Sequence, residues 1–138
     1  TFPKPNKLAE FISISPETIN NLEKAGITNT DKLYNKVQTK SDRENLSQAK
    51  GVDLKDILTL TKLSDLSRIK WVGVTYAQML YDLGVDTVEK VASSDPVDLH
   101  GRINRMIKEK KIFKGSIGLN DVKILIASAA ELTQDIEY

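Results

Sequence analysis

The amino-acid sequence predicts an all-α fold with no sheet, built as a compact tandem duplication of one helical unit. Apolar residues recur every three or four positions through most of the chain, the spacing that places them on one face of a helix. No stretch alternates apolar and polar residues for long enough to indicate a strand. Displacing the sequence by 58 positions superposes Gly26 on Gly84 and Leu22 on Leu80. A repeated unit that buries one face against its twin explains these observations.

Composition limits the possible functions. The 138 residues include 20 Lys and Arg against 19 Asp and Glu, so the net charge is +1 and there is no overall basic field. This weighs against a generic nucleic-acid binder. The absence of cysteine excludes disulfides, thiolate metal sites and cysteine nucleophiles. No apolar run approaches the roughly 20 residues of a membrane span, so we expect a cytoplasmic protein without a membrane partner.

The chain divides into four predicted segments. Residues 1–7 form an extended N-terminal lead-in, because two prolines disfavour a helix there. The first copy covers residues 8–62 and the second covers residues 63–132. No flexible linker separates the copies, so we expect one compact body. Residues 133–138 form an acidic C-terminal tail, which we expect to fray.

Capping residues mark the helices of the first copy. A short helix over residues 8–12 precedes a turn in which Ser15 is the N-cap of a helix that begins at Pro16. Gly26 ends this helix in the left-handed conformation. The predicted N-caps of the next three helices are Thr30, Ser41 and Asp53.

The second copy repeats this plan around residues 66–85. That segment predicts a short helix, a tight turn centred on Val72 and Gly73, and a helix that ends at Gly84. Asp95 followed by proline is a strong helix-start signal, because the carboxylate lies at the positive end of the helix dipole. The other predicted N-caps are Thr87 and Asn120.

The pattern L-x-x-I-x-x-V-G-V-x-x-A-x-x-L-x-x-L-G-V-x-T-x-E-x-V, which begins at Leu66, resembles the helix-hairpin-helix family. More specifically, it is similar to the tandem form catalogued as DUF4332, over about residues 8 to 132. The resemblance implies an all-helical, SAM/HhH-like fold made of two helix-hairpin-helix units. In many relatives it also implies nucleic-acid binding without sequence specificity.

The resemblance further implies a Gly-hydrophobic-Gly hairpin at the start of the second helix of each unit. Glycines let the backbone approach a phosphate, and free N–H groups at the helix start hold its oxygens. In the second copy, Val72 and Gly73 match the last two positions, whereas Trp71 occupies the first. Lys70 and Thr75 flank this hairpin and complete the candidate site.

Two departures from the family pattern leave alternatives open. The first copy holds Ser13, Ile14 and Ser15 at the three hairpin positions, so neither glycine is present. Ser13 and Ser15 could donate hydroxyls to a phosphate, or Ser15 could serve only as an N-cap. Trp71 could stack on a base or a sugar, or it could pack against the other copy as part of the core.

A basic stretch over residues 100–115 is the second candidate nucleic-acid contact. It carries six Lys or Arg residues against one acid. Arg102, Arg105 and Lys108 recur every three positions, which predicts a stripe that could follow a phosphate backbone. The alternative is a solvated face that stabilises the end of its helix.

The sequence gives little support for catalysis. The one histidine, His100, has no identifiable partner, and no His–carboxylate cluster has metal-ligand spacing. No P-loop, nucleophile elbow or dinucleotide fingerprint is present. We therefore expect no enzyme activity, no metal and no cofactor.

The leading hypothesis is a non-enzymatic module that contacts a nucleic-acid phosphate backbone without reading sequence. The alternative is a protein–protein adaptor that has lost nucleic-acid binding, as the near-neutral charge and the altered hairpins suggest. Both hypotheses leave the oligomeric state open.

Overall fold

The computed structural model describes residues 5–112 and 114–138, which form eight α-helices and contain no strand. The all-α prediction is therefore confirmed. A 3-10 turn over Leu8–Glu10 precedes the first helix. The helices are α1 (Pro16–Lys24), α2 (Thr30–Tyr34), α3 (Lys40–Lys50), α4 (Leu54–Leu66), α5 (Val74–Asp82), α6 (Val88–Ala92), α7 (Pro96–Lys110) and α8 (Leu119–Ala130).

The N-terminal lead-in is described only in part. Residues 1–4 of the predicted extended segment lie outside the described residues. Lys7 has extended backbone angles and forms an isolated antiparallel bridge with Asn29. The helix predicted over residues 8–12 is only a 3-10 turn, because the backbone becomes extended again at Phe11.

Two pairs of helices match in length at the spacing of 58 positions. Helices α1 and α5 each have nine residues, and α2 and α6 each have five. Gly26 and Gly84, which follow α1 and α5, both have a φ angle of +83°, which glycine adopts without steric cost. The tandem duplication requires such matched bounds, although the duplication and its division into copies remain predictions. The proposed boundary after residue 62 falls inside α4.

Several predicted caps are confirmed. The side chain of Asp53 accepts a hydrogen bond from the backbone N–H of Lys55, at 2.8 Å. The hydroxyl of Thr87 accepts from the N–H of Lys90 at 3.1 Å, and a carboxylate oxygen of Asp95 accepts from Asp98 at 2.9 Å. Each bond satisfies an N–H group that the first helical turn leaves without an intrahelical partner.

Three other predicted caps are wrong. In each case the helix begins earlier than predicted, so the N-cap residue lies one or two positions before the residue that the sequence analysis chose. Asn29 caps α2, and the hydroxyl of Thr30 instead accepts from the N–H of Asn6 at 3.1 Å. Thr39, not Ser41, caps α3. Gly118 precedes α8, so Asn120 lies inside its first turn.

Helix α4 lies at the centre of the packing. It contacts α2, α3 and α5, whereas α8 packs on α6 and α7. From Leu60 to Leu66 every side chain of α4 except that of Lys62 is buried, including the polar residues Thr61, Ser64 and Asp65. A helix buried on nearly all sides is an internal element of a fold and not a surface helix. None of the described helices has the length and apolar character needed to cross a membrane.

The prediction that residues 133–138 fray is wrong. This segment, called here the C-terminal strap, returns to α3 and α4. The N–H of Glu137 donates to the carbonyl of Gln38 at 2.7 Å, and the carbonyl of Glu137 accepts from the guanidinium of Arg43 at 2.6 Å. Ile136 is 5% exposed. Paired backbone groups and a buried apolar anchor hold this segment in place.

Two tyrosine hydroxyls fix the strap further. Tyr138 donates to the carboxylate of Asp65 at 2.9 Å, and Tyr34 donates to that of Asp135 at 2.8 Å. Burial raises the pKa of both phenols well above the ordinary value, and the adjacent carboxylates raise it further. Both hydroxyls therefore remain hydrogen-bond donors throughout the physiological pH range.

We expect replacement of Ile136 by alanine to lower the free energy of unfolding by about 2 kcal/mol. The substitution removes buried apolar groups of the side chain and leaves a cavity in their place. Ile12→Ala is the matched control, since Ile12 is 92% exposed, and it should change stability by less than about 0.5 kcal/mol. Urea unfolding measures both variants. Equal midpoints for the two variants would show that the strap is detached in solution.

An ion-pair network joins α4 to the turn before α6. Asp86 accepts from the ammonium groups of Lys62 at 2.6 Å and Lys90 at 2.8 Å. Burial by itself would raise the pKa of Asp86, but the hydrogen bonds from the two lysines outweigh it and lower the pKa below the ordinary value. The charged form therefore stabilises the fold.

Because the pKa of Asp86 is lower in the folded state, its contribution is present at neutral pH and is lost as the pH falls through that pKa. Asp86→Asn should cost about 1 kcal/mol at pH 7. The difference from the parent should shrink as the pH is lowered from about 5 to about 2. Unfolding at several pH values tests this, with the exposed Glu44→Gln as control; a constant difference would contradict the assignment.

Candidate nucleic-acid interface

The turn that the sequence predicts at Val72 and Gly73 forms between two helices, and we call it the hairpin. Helix α4 ends at Leu66, and α5 begins at Val74 with Gly73 as its N-cap residue. Ile69 and Val72 are buried in this turn, and the N–H of Val72 donates to the carbonyl of Ile69 at 3.0 Å. Two buried side chains within four residues fix the turn against the core.

Trp71 projects from this hairpin into solvent. Its side chain is 77% exposed, so the alternative in which it packs against the other copy is wrong. Its φ angle is +73°, a left-handed conformation that costs a side-chain-bearing residue about 1 kcal/mol. The ammonium of Lys70 lies 5.5 Å from the centroid of the indole ring, within the range of a cation–π contact. The hairpin therefore displays an aromatic ring beside a cation.

The start of α5 is open to a ligand. The carbonyl of Gly73 accepts the first helical bond, from Ala77 at 2.9 Å. Within the described residues no side chain caps this helix, and the N–H groups of Val74 and Thr75 lie in its first turn. A methyl group built on Gly73 would meet no atom within 4 Å. Thr75 is exposed, so the helix start can be reached from solvent.

A depression of about 320 Å³ lies beside Trp71. Tyr76 and Asp121 contribute polar groups to it, and the nearby Asp121 carboxylate adds to burial in raising the pKa of the Tyr76 phenol. Its remaining walls come largely from α8 and the loop before it. They are Val72, Ser116, Ile117, Ile124 and Leu125, with Lys70 at the edge.

The turn over residues 13–15, which the sequence analysis assigns to the first copy, contacts α5. The hydroxyl of Ser13 donates to the side-chain oxygen of Gln78 at 2.7 Å, so its proton is already used within the protein. Ser15 occupies the predicted N-cap position, but its side chain makes no capping bond. Ile12 is 92% exposed. It borders a second depression, of about 440 Å³, that it shares with Thr75.

One member of the basic stripe of α7 makes contacts within the protein. Arg102 donates to the carbonyl of Leu83, at the end of α5, and lies 3.8 Å from a carboxylate oxygen of Asp98. Arg105 and Lys108 are exposed. Because a helix has 3.6 residues per turn, each step of three residues moves the stripe by about 60° around its axis. Arg102 therefore has a structural contact while its side chain stays 39% exposed, and Arg105 and Lys108 lie about 60° apart around the helix axis.

The C-terminal end of α7 nevertheless adjoins the hairpin. Met106 and Lys110 line the second depression together with Val74 and Thr75, and the acids Glu10 and Asp82 line it as well. Arg102, which lies about two turns before Lys110 on α7, contacts Leu83 at the far end of α5. The end of α7 that carries Lys110 therefore borders the same depression as the start of α5.

Sequence reasoning missed Lys110, Asp121 and Ile12 as parts of this surface. Lys110 belongs to the basic stretch, but its proximity to Thr75 depends on how α5 and α7 pack. Asp121 resembles an ordinary first-turn acid of α8. In the sequence, Ile12 looks like its core neighbours Phe11 and Ile14. Its exposure, which only the structure shows, distinguishes it from them.

A family model described as a domain of unknown function, DUF4332, matches residues 12–132. The chain belongs to this family. No curated protein and no solved structure matches the chain. The DUF4332 assignment thus agrees with the resemblance given by the hairpin pattern, and it assigns no activity.

The left-handed backbone of Trp71 makes a specific stability prediction for this DUF4332 chain. Trp71→Gly should be more stable than Trp71→Ala by about 1 kcal/mol, because only glycine adopts a positive φ without strain. The matched control is the Ser13→Gly and Ser13→Ala pair, since Ser13 has no positive φ. In that pair glycine should be equal or less stable. Thermal or urea unfolding measures the four variants, and the same order at both positions would contradict the strained conformation.

Proposed function

We propose that this chain is a non-enzymatic binding module that contacts the phosphate backbone of a nucleic acid through its second hairpin. The observation that carries the proposal is the start of α5, which has no side-chain cap, with Lys70 on the preceding hairpin. Lys110 of α7 lines the depression that also holds Thr75. A helix start presents N–H groups and the positive end of a dipole, which together bind phosphate oxygens. Lysines beside it add attraction through counterion release.

Local charge supports the proposal although the whole chain is nearly neutral. Lys108, Lys110 and Lys111 are exposed at the end of α7, and Lys114 is exposed in the loop that follows. These side chains lie toward the same end of α7 that meets the start of α5. A small cationic patch next to N–H donors favours contacts to phosphates, which position a nucleic acid but carry no sequence information.

The proposed contact surface is narrower than the sequence suggested. Lys70, Trp71, Gly73 and Thr75 remain in it, together with the lysines at the end of α7. We leave Arg102 out because its guanidinium already donates to the carbonyl of Leu83 at the end of α5. We also leave out Ser13, since its hydroxyl already donates to Gln78.

A protein–protein adaptor is the second candidate, and the exposure of Ile12 favours it. Ile12, which is 92% exposed, lines a depression of about 440 Å³ together with Val74, Met106 and Ile112. A contiguous apolar patch of this kind favours a surface that a partner covers. Under this function, Ile12 and Met106 would contact the partner, and the lysines would affect the association rate more than the affinity.

The test is fluorescence anisotropy of labelled DNA and RNA, at about 50 mM and about 200 mM salt. We expect binding that weakens steeply with salt, because displaced counterions supply the affinity. The variant Lys70→Glu/Lys110→Glu should lose at least about tenfold in affinity for every sequence, with a shallower salt dependence.

The control reverses two exposed lysines of the first half, Lys36→Glu/Lys50→Glu, with the same change in net charge. It should bind nearly as well as the parent. Equal losses in both double variants would mean that only net charge matters and that the hairpin is not the contact. Absence of binding at the lower salt would reject nucleic acid as the partner and leave the adaptor function.

A further inference from the structure

We infer that the nucleic acid this surface prefers contains unpaired bases: Trp71 stacks on one base, and the edge of that base enters the depression bordered by Asp121. This inference rests on the proposed function and names its substrate class. Phosphate capture alone would not distinguish a duplex from a single strand. The features beside the hairpin do distinguish them.

The first feature is the way Trp71 is displayed. Its ring is 77% exposed, while Ile69 and Val72 on either side are buried in the core. The anchored neighbours leave the turn little freedom to withdraw the ring into the protein. Every base offers an aromatic face, so an exposed indole can stack on any unpaired base. The ammonium of Lys70 lies 5.5 Å from the ring centroid. It is therefore positioned to contact the phosphate next to the stacked base.

The second feature is the chemistry of the depression. Its walls are largely apolar, formed by side chains such as Ile117, Ile124 and Leu125, which suit the flat surface of a base. Asp121 places a carboxylate in it. That charge would repel a phosphate, so the depression does not extend the phosphate site. A carboxylate instead accepts hydrogen bonds from base amino groups, such as N4 of cytosine.

In a duplex, neither feature can be used. Base faces are stacked on one another and the pairing edges are occupied, so a base must leave the helix before Trp71 or Asp121 can reach it. A duplex therefore gains only the phosphate contacts. A single strand, or a duplex with an unpaired overhang, gains the phosphate contacts together with stacking and the carboxylate bond.

The chain contains one tryptophan and four tyrosines, so fluorescence excited at a wavelength that tyrosine does not absorb reports on Trp71 alone. We would titrate the protein with a single-stranded 12-mer of deoxycytidine, with one of thymidine and with a blunt duplex of mixed sequence. Anisotropy of the labelled DNA gives the affinity, and quenching of the protein fluorescence reports stacking. We expect strong quenching by the single strands and little by the duplex at equal saturation.

The variants separate stacking from charge. Trp71→Ala should lose about tenfold in affinity for the single strands and less than about twofold for the duplex, since stacking contributes only to the former. Trp71→Phe should restore most of the loss. The control Val97→Ala removes another exposed apolar side chain, at the opposite end of α7 from the lysines, and should change neither affinity.

Asp121→Ala tests the carboxylate. Thymine presents an acceptor, O4, where cytosine presents the N4 donor. The parent should therefore prefer the deoxycytidine strand, and Asp121→Ala should remove that preference while the quenching persists.

The outcomes distinguish this inference from the proposed function. If every DNA binds by anisotropy but the fluorescence does not change, or if Trp71→Ala weakens single-strand and duplex binding equally, the inference is overturned and phosphate binding stands. If no DNA binds, both are overturned. An unchanged preference for deoxycytidine in Asp121→Ala would overturn the role given to the depression.

Discussion

The burial of helix α4 is the constraint on which the rest of the structure depends. Its last two turns are enclosed on almost every side, and they carry the buried carboxylate of Asp65. A buried charge is costly unless it is paired and hydrogen-bonded. Asp65 meets this requirement through the guanidinium of Arg68 at 2.6 Å and the hydroxyl of Tyr138 at 2.9 Å. The C-terminal strap is therefore part of what makes the central helix stable, and it ties the end of the chain to the first half.

The same constraint shapes the second hairpin. Helix α4 leads directly into the turn, so Ile69 and Val72 are buried in the core. Trp71, which lies between them in the chain, points outward. Trp71 takes a left-handed backbone conformation there, which a glycine would adopt without strain. Strain of this kind persists only where surrounding packing fixes it, and it is common at functional sites. The exposed indole is thus a direct consequence of the packing beneath it.

The surface around this hairpin combines charges of both signs. Lys110 borders the depression beside Thr75 together with Glu10 and Asp82, while Asp121 lies on the α8 side of Trp71. Arg102, although central to the basic stretch, donates to the end of α5, and its side chain stays 39% exposed. A net charge of +1 therefore conceals a local arrangement in which lysines lie near an apolar depression with one acid. Such an arrangement allows phosphate and base contacts to occur side by side.

The sequence by itself determined the all-α class, the hairpin at Val72 and Gly73, and the glycine stop at Gly84, because these depend on local periodicity and backbone sterics. It could not locate the caps at Asn29 and Thr39, since adjacent polar residues compete as caps and packing selects among them. Only the tertiary structure decided that Trp71 is exposed, that Arg102 donates to the end of α5 and that the strap packs on α3 and α4. Each of these depends on contacts between residues far apart in the chain, which no local pattern encodes.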